Sequence, residues 1–308
     1  MVRGHPCVDE IIEFDRSLGV RAFTDARSKL RTHEFDLLID LQVYFKAGIV
    51  TALADATVKL GFDRARARDL NWLFTNRKIP RRSIRHVQDQ YLEFLEYLAI
   101  PYAPLEWNIG PWAAERAWQS DWIAGFERPV AAIVIATSKP EKDWIPERWA
   151  AVCNALYTDY GLQPVLVGGR SARELDAERI IMERTSCPIR SELGSGLRKL
   201  ISILDASALV LAPDTGPLHM AVAMNRPTIS LLGYTNPKRT GPYRRFHDLM
   251  IDAYGDTGEQ YVATMENRSG RMPRITVDDV LNRVEIWRER YAAAVRHSRA
   301  TDVVVPME

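Results

Sequence analysis

Residues 208–243, ALVLAPDTGPLHMAVAMNRPTISLLGYTNPKRTGPY, decide the fold. ALVLA is a short, continuous apolar run, as a strand buried on both faces requires. Pro213 ends it, Asp214 to Gly216 supply a turn, and Pro217 stands at the first helical position, where its missing N–H costs nothing. LHMAVAMN (218–225) then reads as a helix and PTISLL (227–232) as a second apolar strand. In such a unit the helix N-terminus faces the strand ends. Backbone N–H groups from Thr215 to Leu218, with the positive end of the helix dipole, form an anion site that Gly216 lets a phosphate approach closely. A diphosphate fits. Asp214 is also a natural cap for the helix, and His219 on the first turn either donates to a phosphate or packs.

The alternation extends outward from this unit. AAIVIA (131–136) is an apolar strand, 146–160 an amphipathic helix, and LQPVLVGG (162–169) a strand ending in glycines. Helices from about Ser171 to Glu183 and over 197–207 follow. Apolar strands joined through helices predict a parallel sheet covered on both faces, with ligands bound beyond the carboxyl ends of the strands. Thr137, Ser138 and Lys142 occupy such a position in ATSKPEKDWIPERW (136–149), where hydroxyls and an ammonium neutralise a leaving diphosphate. The alternative for Lys142 is an exposed turn lysine.

The first half repeats the theme less completely. Residues 8–14 and 35–42 read as strands, with a helix near 24–33 between them; a helix over 45–55, a strand over 56–63 and a helix over 86–100, ended by Pro101, come next. The proline-bearing stretch 102–128, with Trp107, Trp112, Trp118 and Trp122, reads as a linker whose tryptophans pack it onto its neighbours. The expected domains are therefore 1–125, a Rossmann-like unit with the linker, and 126–297, a second such unit with a final helix over 277–297; 298–308 form a tail. The first sheet reads as short by at least one strand.

Composition narrows the class. The chain has 308 residues, 46% hydrophobic and 26% charged, as in soluble globular proteins of two domains. Its 41 Lys plus Arg against 40 Asp plus Glu leave a net charge of +1, so no global field favours nucleic acid. Cys7, Cys153 and Cys187 are odd in number and lack CxxC spacing, which favours neither a disulfide framework nor a zinc site and fits a reducing cytoplasm. No spanning run and no secretory leader are read, and no ligand spacing implies a metal or other cofactor. Charge is concentrated locally: residues 59–86 carry nine Lys or Arg, Arg64, Arg66, Arg68, Arg77 and Lys78 among them, against Asp63 and Asp69. Clustered guanidinium groups suit carboxylates and phosphates; a solvated charged face is the competing reading.

The pieces HPCVDEIIEFD, FDLLIDLQVYFKAG, VKLGFDRARAR, FTNRKI, HVQDQYLEFLEYL, ATSKPEKDWIPERWA, VLVGG and PDTGPLHMAVAMNRPTISLLGYTNPKRTGPY come in the order seen in one family. The chain resembles the bacterial lipopolysaccharide heptosyltransferases of glycosyltransferase family 9. The resemblance implies a GT-B fold, two Rossmann-like domains facing a cleft. It implies inverting transfer of heptose from ADP-heptose to the lipopolysaccharide inner core, at the cytoplasmic face of the inner membrane and in peripheral contact with it. Asp214, Thr215, Gly216 and His219 would lie near the diphosphate and sugar and Lys142 beside the phosphates, with Thr137 and Ser138 matching the paired hydroxyl positions; the basic cluster would meet the anionic acceptor. The family's ribose-holding acid after the Gly-Gly strand end has only Glu174 nearby here. Its catalytic aspartate lies in a GDxxxxxP segment, which this chain lacks, so the base is unassigned, with Asp40 the alternative carboxylate. The expectation is a start lying roughly 50 residues upstream or a truncated relative. The rival readings are a donor-binding protein without catalysis, a transferase using another nucleotide sugar, and a nucleotide-sugar epimerase.

Overall fold

The computed structural model describes residues 1–293. The chain divides into two compact units, one of residues Pro6–Leu105 and one of Met1–His5 with the chain from Glu106 onward.

In the smaller unit the elements are α1 (Arg21–Leu30), β1 (Glu34–Ile39), α2 (Phe45–Leu53), β2 (Asp55–Gly61), β3 (Arg77–Lys78) and α3 (Val87–Tyr97). The three strands form a parallel sheet in the order β1-β2-β3. The expected strand over 8–14 does not form: these residues take up no regular structure. A strand needs a neighbour to pair its N–H and C=O groups, and no position in this sheet is given to them. Their aromatic side chain is used locally instead, Phe14 standing edge-on to Phe23 at 5.1 Å. Helix α3 ends before Pro101, because Ala99 takes a left-handed conformation (φ 54°) and the Ile100 N–H donates to the Leu95 carbonyl. The core is small: Leu60, Phe62, Ile79 and Phe94.

The larger unit contains α4 (Ala113–Ala124), β4 (Val130–Val134), α5 (Pro146–Thr158), β5 (Gln163–Val167), α6 (Ala172–Arg184), β6 (Arg190–Ser191) and α7 (Leu197–Ala206). It continues with β7 (Leu209–Pro213), α8 (Gly216–Ala223), β8 (Thr228–Leu232), α9 (Pro237–Thr240), β9 (Met250–Asp252) and α10 (Val277–Arg290). Its sheet is parallel throughout in the order β6-β5-β4-β7-β8-β9. Every residue of β4, β7 and β8 is buried; β4 and β7 are accordingly continuous apolar runs, while β8 buries the hydroxyls of Thr228 and Ser230 among its apolar residues. The expected helix over 277–297 is met by α10; its positions beyond 293 and the tail 298–308 lie outside the described residues.

From Glu106 onward the stretch 102–128 groups with the larger unit. Helix α4 is bound to α7 by buried polar contacts. Gln119 donates to the Ser202 carbonyl and to Asp205, each at 2.8 Å, and Arg116 pairs with Asp205 at 2.5 Å. The tryptophans pack as expected: Trp122 joins the main core and donates its indole N–H to Glu192 at 2.7 Å. No helix among the described residues is long and apolar enough to cross a membrane.

Candidate functional site

The sheet order of the larger unit reverses direction between β4 and β7, which pair at Ala131 with Leu209 and Ile133 with Leu211. Chains leaving adjacent strands at such a point turn to opposite faces and leave a crevice beyond the carboxyl ends. The loop after β4 carries Thr137, Ser138 and Lys142; the turn after β7 carries Asp214, Thr215 and Gly216; the turn after β8 carries Thr235. Topology alone brings these three loops together.

Asp214 is the centre of the cluster and is buried, at 7% exposure. Lys142 Nζ donates to its Oδ2 at 2.7 Å and to its backbone carbonyl at 3.2 Å. Thr235 Oγ1 donates to the same Oδ2 at 2.5 Å, Thr240 Oγ1 lies 3.4 Å away, and His219 Nε2 is 3.3 Å from Oδ1. Burial alone pushes this carboxyl up; the His219 ring, the Lys142 ammonium and the Thr235 hydroxyl outweigh it and hold the group well below the usual carboxylate range. Asp214 is therefore an anion whose charge is balanced within the site.

Asp214 is not the helix cap. The cap position is Thr215, whose side chain makes no capping bond, and α8 opens at Gly216 with Pro217 in its first turn. The Leu218 N–H is used on the Thr215 carbonyl, so the anion-binding face is narrower than the run Thr215 to Leu218. Gly216 is exposed, and a Cβ built there meets only the Met220 methyl at 3.6 Å. His219 is half-exposed, its side chain 43% accessible. This end of the helix offers N–H groups without a side-chain cap, an ammonium and an imidazole within one turn.

The loop after β4 is stiffened by contacts that sequence reasoning missed. Asp143 Oδ1 accepts from the Thr137 N–H at 2.7 Å and from its hydroxyl at 2.9 Å, and Arg173 on α6 bridges Asp143 Oδ2 and the Thr137 carbonyl, both at 2.8 Å. The Thr137 hydroxyl is also shared with the Lys139 carbonyl. Thr137 is therefore committed to shaping the loop, while Ser138 beside it is exposed. Glu174 is committed too: it caps α6, accepting from the Gly169 and Ser171 N–H groups at 2.6 and 2.8 Å. No sequence signal marked Thr235 or Arg173, since a single threonine in a loop or arginine on a helix is indistinguishable from its neighbours until the strand order is known.

The residues expected in the smaller unit separate into two kinds. Arg66 is buried, pairing with Asp63 and Glu93, each at 2.5 Å, and donating to the Pro80 carbonyl at 2.8 Å; it braces the fold and is withdrawn from the surface where an acceptor would be met. Lys78 is half-buried and donates to the Thr75 carbonyl at 2.9 Å. Arg64, Arg68 and Arg77 are exposed, with the Arg64 guanidinium 4.7 Å over the Trp72 ring. Asp40 is 5% exposed; its carboxylate accepts from the Gln42 N–H at 2.9 Å and from Thr51 and Asn71, each at 3.0 Å. These bonds tie Asp40 to the segment after β1, to α2 and to the 71–74 turn. Among the described residues no group of three or more His, Cys, Asp or Glu side chains is placed to hold a metal ion.

Residues 24–262 match the family model described as glycosyltransferase family 9 (heptosyltransferase). The chain belongs to glycosyltransferase family 9. Its enzyme class is accordingly glycosyltransferase. The lipopolysaccharide core heptosyltransferase OpsX of Haemophilus influenzae is 30% identical over 251 residues, covering 81% of this chain and 72% of that protein. Among solved structures, the family 9 glycosyl transferase of Veillonella parvula superposes with a TM-score of 0.74 at 20% identity, covering 92% of this chain and 84% of that one. E. coli heptosyltransferase WaaC with ADP gives a TM-score of 0.64 at 22% identity, over 88% and 79%. At this level of identity the two structures speak for the fold, and the class is α/β GT-B.

Proposed function

We propose that this chain transfers heptose from ADP-heptose to the inner core of lipopolysaccharide with inversion, working as a peripheral protein at the cytoplasmic face of the inner membrane. The observation that carries the donor half of this reading is the Lys142–Asp214 pair beside the uncapped start of α8, at the point where the strand order reverses. Diphosphate departure needs fixed positive charge and N–H donors that require no rearrangement as the bond breaks. Lys142, the Gly216 N–H at the start of α8 and the His219 imidazole supply them. Asp214 holds Lys142 in place and leaves Oδ1 to the imidazole, while Arg173 and Asp143 keep the loop of Lys142 from collapsing onto the site. No metal or other cofactor is invoked, since the charge is met by side chains and backbone. The relatives are in keeping with this donor: OpsX acts on the lipopolysaccharide core by its name, and WaaC is described with ADP. Arg64, Arg68 and Arg77 are the exposed cations proposed to meet the anionic acceptor; Arg66 is not among them.

A second reading, donor binding without transfer, is favoured by one observation: Asp40, the carboxylate that would stand in as base, has both oxygens occupied. One set of measurements separates the readings. Calorimetric titration with ADP-heptose is expected to show weaker binding for Lys142→Ala and Asp214→Ala, the lysine losing a charge-assisted contact of ~1.5–3 kcal/mol. Unchanged affinity in both variants rejects the donor site. Transfer to a Kdo-bearing lipid A acceptor is expected of the parent protein. ADP-heptose binding with no transfer supports the second reading, and acceptor-independent conversion of a nucleotide sugar points to an epimerase.

A further inference from the structure

The smaller unit gathers large apolar side chains at one exposed place. Leu70 and Leu73 are 55% and 56% exposed, on the turn that leads into the short 3-10 helix Asn71–Phe74. Tyr44, Phe45 and Leu41, from the segment after β1, are exposed as well. The two segments are neighbours by direct contact: the Arg68 N–H donates to the Val43 carbonyl at 2.8 Å, Asn71 donates to the Tyr44 carbonyl at 3.1 Å, and the Phe45 and Phe74 rings meet edge-on at 5.4 Å.

This turn is held rigidly while its apolar side is left bare. Asn71 is buried to 1% exposure and tied to Asp40, so the base of the turn belongs to the interior. Asp69 and Leu70 above it both take left-handed backbone conformations, with φ of 49° and 62°. Leucine adopts that region at a cost, and here the cost brings no burial in return. A strained, firmly anchored turn that lifts two leucines into solvent has the form of a docking element.

Charge around the turn identifies the occupant. From Leu41 to Lys78 there are seven Lys or Arg (Lys46, Lys59, Arg64, Arg66, Arg68, Arg77, Lys78) against Asp55, Asp63 and Asp69. Asp63 and the buried Arg66 are spent on each other, which leaves six cations against Asp55 and Asp69. Arg64 lies over Trp72, whose ring is half-buried beside the leucines, an aromatic and cation pairing suited to a water and hydrocarbon boundary. We propose that the 69–74 turn is the docking point of this protein on an anionic lipid bilayer, with Leu70 and Leu73 entering the acyl region and Lys46, Arg64 and Arg68 meeting the headgroups. Apolar insertion and cation attraction are each weak alone and sufficient together. The inference rests on the peripheral location proposed above and supplies the surface that makes it.

The test is co-sedimentation of the full chain with vesicles of equal parts phosphatidylethanolamine and phosphatidylglycerol, against phosphatidylcholine vesicles. The parent is expected to bind the anionic vesicles preferentially, less so as salt is raised. The double variant Leu70→Asn, Leu73→Ser is expected to lose at least about tenfold in partitioning, with a Tm equal to or above that of the parent, since asparagine tolerates the left-handed conformation. Equal binding of both vesicle types by the parent overturns the proposal, and so does parent-like vesicle binding by the double variant. A concentration-dependent dimer that the double variant abolishes also overturns it, by naming a second copy as the occupant. ADP-heptose affinity, measured on the same two proteins, is expected to be equal. Vesicle docking by a parent that binds no ADP-heptose leaves this inference standing and removes the donor reading alone.

Discussion

At the scale of single residues, Asp214 shows how a buried charge is made tolerable. One oxygen is met by an ammonium and a hydroxyl, the other by an imidazole, and burial loses to these three. Because its folded value lies below the unfolded one, Asp214 contributes stability that is present above about pH 4 and is lost as pH falls toward the folded value. Urea unfolding of the parent and Asp214→Asn across acid pH is expected to show the variant less stable at neutrality, with the gap closing below about pH 4. A gap that stays constant down to pH 3 or grows refutes this account of the carboxylate. The types of the site residues were legible in the sequence, because Asp214, Gly216 and Lys142 each sit where a strand ends. Their partners were not. Thr235 acquires its role only because β8 lies beside β7, a fact of sheet order that no local pattern records.

At the scale of elements, continuous apolar strands, proline-opened helices and glycine-ended turns placed β4, β5, β7 and β8 and helices α5 to α8 within a few residues; the short edge strands β6 and β9 and helix α9 were not read. The failures lie where local pattern is ambiguous. VDEIIEF is rich in β-branched residues, but its apolar positions 8, 11, 12 and 14 do not alternate, and the stretch pairs with no strand of the sheet. Arg66 looked like its neighbours in a basic run, and only packing distinguishes the buried arginine from the exposed ones. Helix α2 illustrates how tightly some contacts are set. A Cβ at Gly48 would lie 2.2 Å from the Phe74 ring, so Gly48 is what lets α2 approach the 71–74 turn. Gly48→Ala is expected to cost about 1–3 kcal/mol in chemical denaturation through forced separation of the two, despite the gain in helix propensity. A neutral or stabilising result contradicts the close approach.

At the scale of the molecule, the two units differ in how much apolar material holds them. The larger has a continuous core running from Trp122 to Trp287; the smaller has one cluster of four buried side chains, Leu60, Phe62, Ile79 and Phe94, beside the Arg66–Glu93 and Asp40–Asn71 networks. Local opening follows the density of buried contacts. Amides of β1 and β2 are therefore expected to exchange hydrogen faster than those of β4, β5, β7 and β8, read by mass spectrometry on the intact protein; equal protection in both sheets contradicts it. The Lys142–Asp214 pair has one more effect at this scale. A lysine that already holds its counter-ion is a poor lure for stray inorganic phosphate or chloride, because taking it away strands a buried carboxylate. Only a ligand that brings hydroxyls to Asp214 along with phosphates for Lys142 satisfies both partners at once, so the pair itself discriminates against simple anions.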